Sequence, residues 1–207
     1  MTKFYLIRHG VKEAVMGDPP LSQLGVKQAE FTAKFLKEFN IISIYSSPLL
    51  RTHETAQIVG KELGLDISTD ERLIERMNWG SNPDESFEEF LKEWEKASID
   101  RNYQPRHGDS AFNTGERLKD FLLQVDSVNS LQVRQENKDK EVLVVTHGGT
   151  IGDFLMNNFT NLNLVSSLSG APYVELLECS ITTIGLEENK FTLKEVGSIT
   201  HLPEPLI

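Results

Sequence analysis

The sequence has little cysteine and no long apolar run, and each scarcity excludes a class of protein. Cys179 is the only cysteine among 207 residues, so the chain forms neither an internal disulfide nor a thiolate metal site, and we expect Cys179 in the core. No apolar run approaches the length of a membrane span. The apolar N-terminus is interrupted at Arg8, too early for a signal peptide. We therefore expect a cytoplasmic protein that does not enter a membrane.

Basic residues are also in deficit. The 21 lysines and arginines are outnumbered by 31 aspartates and glutamates, which gives a formal net charge of −10. This charge disfavours nucleic acid or an anionic membrane surface as the main partner. A phosphorylated substrate would require a few arginines to reverse the negative field locally.

The motifs of several large enzyme classes are missing. The sequence has no Walker-type loop, no Gly-x-Gly-x-x-Gly after its first strand, no His-Glu-x-x-His and no Gly-x-Ser-x-Gly. A metal hydrolase built on His9, His53 and His147 is an alternative, but the adjacent arginines would oppose a bound cation. We predict neither a metal nor a cofactor.

Strand-like and helix-like segments alternate along the chain. Apolar strands and the helices that follow them are predicted at 3–8, 24–39, 41–46, 48–63, 141–146 and 148–159. For the second helix, Ser47 is the predicted N-cap, Pro48 the first helical residue and Gly64 the C-terminal stop. Near the C-terminus, segments 173–184 and 190–196 predict a hairpin. The fold class predicted is a three-layer α/β/α sandwich whose mostly parallel central sheet carries at least one antiparallel strand.

The segment 77–112 differs in character from the rest of the predicted single domain, 1–207. Ser86 begins a capping-box pattern, and an acidic helix with an apolar stripe follows; the stripe consists of Phe87, Phe90, Leu91 and Trp94. We interpret the stripe as ordinary packing and the segment as an insertion over one sheet edge, a predicted lid.

Three strand ends carry the residues of chemical interest. Ligands of open α/β sheets bind outside the carboxyl ends of the strands, and here those ends read Arg8-His9-Gly10, Ser46-Ser47-Pro48 and Thr146-His147-Gly148-Gly149. Arg51 lies one turn into the second helix. Two histidines, two arginines and two helix N-termini at one rim predict an anion site suited to phosphate.

Phosphoryl transfer assigns a role to each of these residues. A neutral His9 is the predicted nucleophile, and Arg8, Arg51 and a protonated His147 would hold the phosphate and its transition state. Glu75 is the predicted acid for the leaving oxygen, although Glu71, Asp84, Glu85 and Glu116 are also eligible. The further predicted substrate-binding residues are Gly148 and Arg76. The remaining histidines, His53, His107 and His201, are assigned structural roles.

Taken in order, these motifs resemble those of the histidine phosphatase (phosphoglycerate mutase-like) superfamily over nearly the whole chain. The matching stretches are Leu6-Ile7-Arg8-His9-Gly10, Leu21-Ser22-Gln23-Leu24-Gly25 with Gln28-Ala29, Ser46-Ser47-Pro48 with Arg51 and Thr55-Ala56, Leu73-Ile74-Glu75-Arg76 with Trp79-Gly80, and Val145-Thr146-His147-Gly148-Gly149. The resemblance implies a phosphohistidine at His9, a pocket of Arg8, Arg51 and His147, Glu75 as proton donor, and no cofactor.

Two departures bear on the substrate. Val11-Lys12 stands where the family often has Glu or Gln followed by Thr, and Gly115-Glu116-Arg117 stands where Gly-Glu-Ser is frequent. Our first hypothesis is a phosphatase for a small phosphorylated substrate, with phosphate or sulfate able to occupy the site. The alternatives are a phosphoglycerate mutase-type phosphotransferase and a catalytically silent module that binds a phosphorylated ligand. The sequence leaves the oligomeric state open.

Overall fold

The computed structural model describes residues 1–132, 140–167 and 170–206. Its strands are β1 (Thr2–Arg8), β2 (Ile41–Ser46), β3 (Ile67–Thr69), β4 (Lys140–Thr146), β5 (Val165–Ser166), β6 (Pro172–Tyr173), β7 (Ile181–Glu187) and β8 (Lys190–Ser198). Its helices are α1 (Gln23–Leu36), α2 (Leu50–Leu63), α3 (Phe87–Ile99), α4 (Ala111–Gln132) and α5 (Gly148–Asn158), with 3₁₀ turns at Glu71–Leu73 and Glu204–Leu206. No helix within the described ranges has the length and apolar character needed to cross a membrane.

The central sheet has the order β3-β2-β4-β1-β7-β8. The first four strands of that order run parallel, whereas β7 pairs antiparallel with both β1 and β8. Strands β5 and β6 form a separate short ladder. The predicted fold class, a mostly parallel sheet with an antiparallel edge between layers of helices, is confirmed.

Side-chain alternation along the two central strands explains why both faces of the sheet are covered. In β1, Phe4 and Leu6 enter a core with α4 and α5, while Tyr5 and Ile7 enter a second core with α1 and α2. Strand β4 alternates in the same way. Strands buried on both faces read as continuous apolar runs, which is the pattern that the sequence displays.

Several predicted boundaries move. Helix α1 ends at Leu36, three residues before its predicted end at 39. Helix α2 begins at Leu50, two residues later than predicted, and its N-cap is Leu49 rather than Ser47. Its predicted C-terminal stop, Gly64, adopts the left-handed conformation with φ 69°.

The predicted hairpin is β7–β8, but its first strand starts at Ile181 rather than at residue 173. Its turn, Glu188-Asn189, has positive φ at both residues, as a two-residue hairpin turn requires.

The segment 77–112 contains α3, with the predicted capping box between Ser86 and Glu89; its role as an inserted lid stays a prediction. The interpretation of its apolar stripe as ordinary packing is wrong for Phe87 and Leu91, which are 51% and 47% exposed. The residues that α3 buries are Glu93 and Ala97. Ala97 follows Phe90 by seven residues and Trp94 by three, so α3 packs through the flank that carries Phe90 and Trp94 and leaves Phe87 and Leu91 at the surface.

Candidate active site

The three strand ends named by the sequence meet at one edge of the sheet. Arg8, the last residue of β1, pairs in register with Thr146, the last residue of β4. Ser46, the last residue of β2, pairs with Val145. Backbone hydrogen bonds continue one residue further, since His9 N–H donates to the Thr146 carbonyl at 3.1 Å. The residues that follow each strand therefore lie side by side.

His9 is held at this edge by two hydrogen bonds of opposite polarity. Its Nδ1 lies 2.8 Å from the Gly10 carbonyl, and the Nε–H of Arg51 points at its Nε2 over 3.1 Å. Burial, and then the positive charges of Arg51 and Arg8, hold the pKa of His9 well below its ordinary value. The ring is 5% exposed and is neutral at physiological pH.

His147 lies beside His9 in an edge-on contact, with the two ring centroids 5.3 Å apart. It is fully buried, its Nε2 is 2.9 Å from Ser47 Oγ, and its Nδ1 has no hydrogen-bond partner. Burial, and then the charge of Arg51, keep the pKa of His147 well below its ordinary value. The protonated His147 of the sequence hypothesis is therefore disfavoured in the pocket as it stands, and a bound dianion would be needed to favour it.

Arg51 occupies the first turn of α2 and is 3% exposed. Its Nη1 makes no hydrogen bond and lies 3.7 Å from a carboxylate oxygen of Asp18. Both carboxylate oxygens of Asp18 accept from the Leu50 N–H, at 2.9 and 3.0 Å. Asp18 thus caps α2 from a distant loop, since Leu49 offers no side chain for this purpose.

Arg8 adds a second positive charge near His9. Its two Nη atoms donate to the Leu176 carbonyl and to Glu178 Oε1, each at 2.5 Å. The turn that presents Glu178 is itself bound to the strand end, because Cys179 N–H donates to the Arg8 carbonyl at 3.0 Å. Cys179 is fully buried, as expected.

The carboxyl group of Glu75 rests on the first turn of α5. It accepts from Gly149 N–H at 3.1 Å, from Thr150 Oγ at 3.3 Å and from Arg76 N–H at 2.9 Å. A Cβ built on Gly149 would lie only 2.4 Å from Glu75 Oε1. Glycine at position 149 therefore makes room for this carboxyl group at a helix N-terminus, where an anion is favoured.

The two remaining predicted substrate contacts have other partners. Arg76 is buried. Its Nη1 lies 3.4 Å from Asp153 Oδ1, and its Nη2 donates to Ser98 Oγ at 2.6 Å. The centre of its guanidinium lies 3.9 Å from the centroid of the Trp94 ring. Burial raises the pKa of Asp153 to about 7 against the opposing charge of Arg76. Gly148 is the first residue of α5 and packs against the Arg8 side chain. A substrate-binding role for Arg76 and Gly148 stays a prediction.

In the sequence, Arg117 stands out only because it occupies the position of serine in the frequent Gly-Glu-Ser motif. Its Nη1 donates to the carbonyls of Arg72 at 2.6 Å and Ile74 at 3.0 Å, and its Nε donates to Asp109 at 3.2 Å. It thereby holds the segment that presents Glu75. Neither Arg117 nor Glu178 carries a signal in the sequence, because each acts through a contact with residues distant in the chain.

No group of three or more histidine, cysteine, aspartate or glutamate side chains is arranged to hold a metal ion anywhere in residues 1–132, 140–167 and 170–206. The donors around His9 are instead cationic or neutral. Such donors suit the oxygens of a phosphoryl group.

Known proteins share this architecture over their full length. A probable phosphoglycerate mutase from Yersinia pestis is 28% identical over 229 aligned positions, covering 100% of this chain and 98% of the relative. A mycobacterial glucosyl-3-phosphoglycerate phosphatase, solved with inorganic phosphate, superposes with a TM-score of 0.76 at 20% identity, covering 98% of this chain and 100% of that one. A phosphoserine phosphatase from Entamoeba histolytica, solved with phosphoserine, superposes with a TM-score of 0.71 at 25% identity, covering 98% and 100%.

The family assignment follows from a match that spans almost the whole chain. The family model of the histidine phosphatase superfamily, branch 1, matches residues 4–199. That range includes all three strand ends and the segment that carries Glu75. The chain belongs to the histidine phosphatase superfamily.

Proposed function

We propose that this chain is a phosphatase that hydrolyses the monoester of a small phosphorylated molecule through a phosphohistidine on His9, without a metal ion. The observation that carries the proposal is the pair of hydrogen bonds on His9. A carbonyl can only accept and a guanidinium can only donate, so Nδ1 bears the proton and Nε2 bears the lone pair. Nε2 is thus a neutral nucleophile facing a cationic pocket.

In the first step, Nε2 of His9 attacks phosphorus in line with the leaving oxygen. The N–P bond forms as the P–O bond to the alcohol breaks. Glu75 must be protonated for this step, although the N-terminus of α5 favours its anion, and it gives that proton to the departing oxygen. Arg51 shifts its Nε–H from His9 to a phosphoryl oxygen, and its Nη1, which makes no hydrogen bond in the structure, donates to a second phosphoryl oxygen. The unpartnered Nδ1 of His147 offers a further contact when protonated.

In the second step, water attacks the phosphorus of phosphohistidine. Glu75 now accepts the proton from that water, the N–P bond breaks, and inorganic phosphate leaves with His9 neutral again. Each step uses Glu75 in the opposite direction, which restores the starting protonation state.

The comparisons support a phosphoryl-transfer enzyme but divide over its outcome. The mycobacterial and Entamoeba neighbours are phosphatases, whereas the Yersinia relative is named a probable mutase. The second candidate is therefore a phosphoglycerate mutase-type phosphotransferase. In such an enzyme the phosphoryl group on His9 is transferred to a hydroxyl group of the acceptor instead of to water.

The test is hydrolysis of para-nitrophenyl phosphate in EDTA, from acidic to neutral pH, for wild type, His9→Ala and a control, His107→Ala. His107 is exposed, so its variant should match wild type. Turnover that survives EDTA and is lost in His9→Ala is the expected result. Turnover retained by His9→Ala contradicts the mechanism.

Absence of turnover in the folded wild type contradicts the phosphatase assignment, and further assays distinguish the alternatives. Transfer that requires a bisphosphate primer identifies a mutase. Binding of inorganic phosphate without either reaction identifies a silent phospho-ligand module.

A further inference from the structure

Four aromatic side chains form a continuous row along the insertion. The ring centroids of Trp79 and Phe87 are 4.8 Å apart, those of Phe87 and Phe90 6.3 Å, and those of Phe90 and Trp94 6.0 Å. We call these four residues the aromatic row. Phe87 is half exposed, and the other three rings are partly buried, so the row lies at the surface with each ring accessible in part.

One end of the row lies beside the proposed acid. A Cβ built on Gly149 would be 3.0 Å from Cη2 of Trp94 and 2.4 Å from Oε1 of Glu75. The Trp94 ring edge and the Glu75 carboxyl group therefore flank the same glycine. The guanidinium of Arg76 lies over the Trp94 ring, 3.9 Å from its centroid, and this cation–π contact fixes the plane of the ring.

The other end of the row is tied to the loop that reaches Arg51. The carbonyl of Trp79 accepts from Gly17 N–H at 3.0 Å, and Asn78 Nδ2 donates to the Gly17 carbonyl at 2.7 Å. The next residue, Asp18, is the carboxylate that lies 3.7 Å from Arg51. The row thus extends from the neighbourhood of Glu75 to the loop that contacts Arg51.

We infer that the aromatic row binds the organic group of the substrate, and that this group is an extended apolar or aromatic alcohol. The inference rests on the proposed function and names its substrate class. An aromatic surface adjoining the leaving-group acid favours a flat or apolar group by stacking and burial.

The charges near the row disfavour a second anionic group. Helix α3 carries four glutamates and two lysines, and the Arg76 guanidinium is already shared by Asp153 and Ser98. Lys12 is the cation that would serve a carboxylated substrate instead; it lies near Arg8 and Arg51, whose charges, after burial, lower its pKa. Recognition of a carboxylated substrate by Lys12 is therefore the alternative that the experiment must distinguish from binding at the aromatic row.

The experiment compares kcat/KM for 3-phenylpropyl phosphate, propyl phosphate and 3-phosphoglycerate. The first two release alcohols of nearly equal basicity, so their ratio reports recognition of the phenyl group rather than leaving-group chemistry. Wild type should prefer the phenyl compound about tenfold or more, the scale of apolar discrimination. In Phe87→Ala and Phe90→Ala the preference should fall by about tenfold in the same assay.

Phe31→Ala is the matched control, because Phe31 is an exposed phenylalanine on α1, outside the row. It should keep the wild-type preference. A wild type that prefers 3-phosphoglycerate, with that preference lost in Lys12→Met, overturns the inference. So does a phenyl preference that neither row variant changes, or a change of oligomeric state in Phe87→Ala, which would make the row a contact between copies.

Failure of the inference is separable from failure of the proposed function. Binding of 3-phenylpropyl phosphonate and propyl phosphonate, measured by calorimetry, requires no turnover. Tighter binding of the phenyl compound, reduced in Phe90→Ala and kept in Phe31→Ala, supports the row even in a protein that hydrolyses nothing. Equal binding of the two phosphonates contradicts it even in an active phosphatase.

Discussion

The Nε–H of Arg51 donates a hydrogen bond to Nε2 of His9 over 3.1 Å. Together with the Gly10 carbonyl at 2.8 Å from Nδ1, this contact fixes one tautomer of the ring. Arg51 is held by the first turn of α2, which Asp18 caps. The same guanidinium therefore orients the proposed nucleophile and is placed to bind the phosphoryl oxygens.

Arg51→Lys should be nearly as damaging as Arg51→Ala. Lysine keeps the positive charge but has no planar fork and no donor at the Nε position. We expect kcat/KM for para-nitrophenyl phosphate to fall by about two to three orders of magnitude in both variants, as when a transition-state donor is removed. Arg106→Lys, at an exposed position, is the control; an Arg51→Lys enzyme of wild-type activity would contradict the assigned geometry.

Glu75→Gln should slow esters of basic alcohols more than esters of acidic phenols, because an acid matters most where the departing oxygen is basic. Gly149→Ala should mimic it, since the added Cβ would displace the Glu75 carboxyl group. Gly152→Ala, where the nearest atom would be 3.9 Å away, is the control in the same helix and should keep wild-type activity. Equal losses for both ester classes would remove Glu75 from the acid role.

Arg117 is expected to act as a positioning residue through the carbonyls of Arg72 and Ile74, which lie on either side of Leu73. Arg117→Lys should lower kcat for esters of basic alcohols by about tenfold, with less effect on esters of acidic phenols. The leaving-group dependence is the readout that a purely structural role would not change. Lys119→Met removes only a surface ion pair on the same helix and should behave as wild type.

Three residues of the predicted site directly follow buried strands. Arg8 instead ends β1, Arg51 lies in α2, and Glu75 follows the 3₁₀ turn Glu71–Leu73. His9, Ser47 and His147 were located because apolar runs end there and the parallel order was readable from the alternation. Arg117 and Glu178 were not, because their partners are carbonyls and side chains more than 40 residues away. The exposure of Phe87 was also missed, since periodicity identifies an apolar face but not what covers it.

The buried histidines should make the fold sensitive to acid. The unfolded chain protonates histidine below about pH 6.5, while folded His9 and His147 stay neutral to a lower pH. The free energy of unfolding should therefore decrease as pH falls below that value, by up to about 1.4 kcal/mol per pH unit for each histidine. Asp153, with a pKa of about 7, has the opposite sign, because the folded state there holds a proton that the unfolded chain releases.

Urea unfolding of wild type and His147→Gln between neutral and acidic pH isolates this effect. The variant should lose less stability on acidification than wild type, and Phe31→Ala, which removes no titrating group, should parallel wild type. Identical pH dependence in wild type and His147→Gln would show that His147 protonates equally in both states.

Trapping of the phosphoenzyme tests the central claim most directly. Wild type mixed rapidly with para-nitrophenyl phosphate in EDTA is quenched in alkali, digested and analysed by mass spectrometry, with His9→Ala treated in parallel. The account predicts one phosphoryl group, stable to alkali and labile to acid, on the peptide that contains His9, and none in the variant. Active turnover with the phosphoryl group on another residue, or an unchanged adduct in His9→Ala, would contradict it.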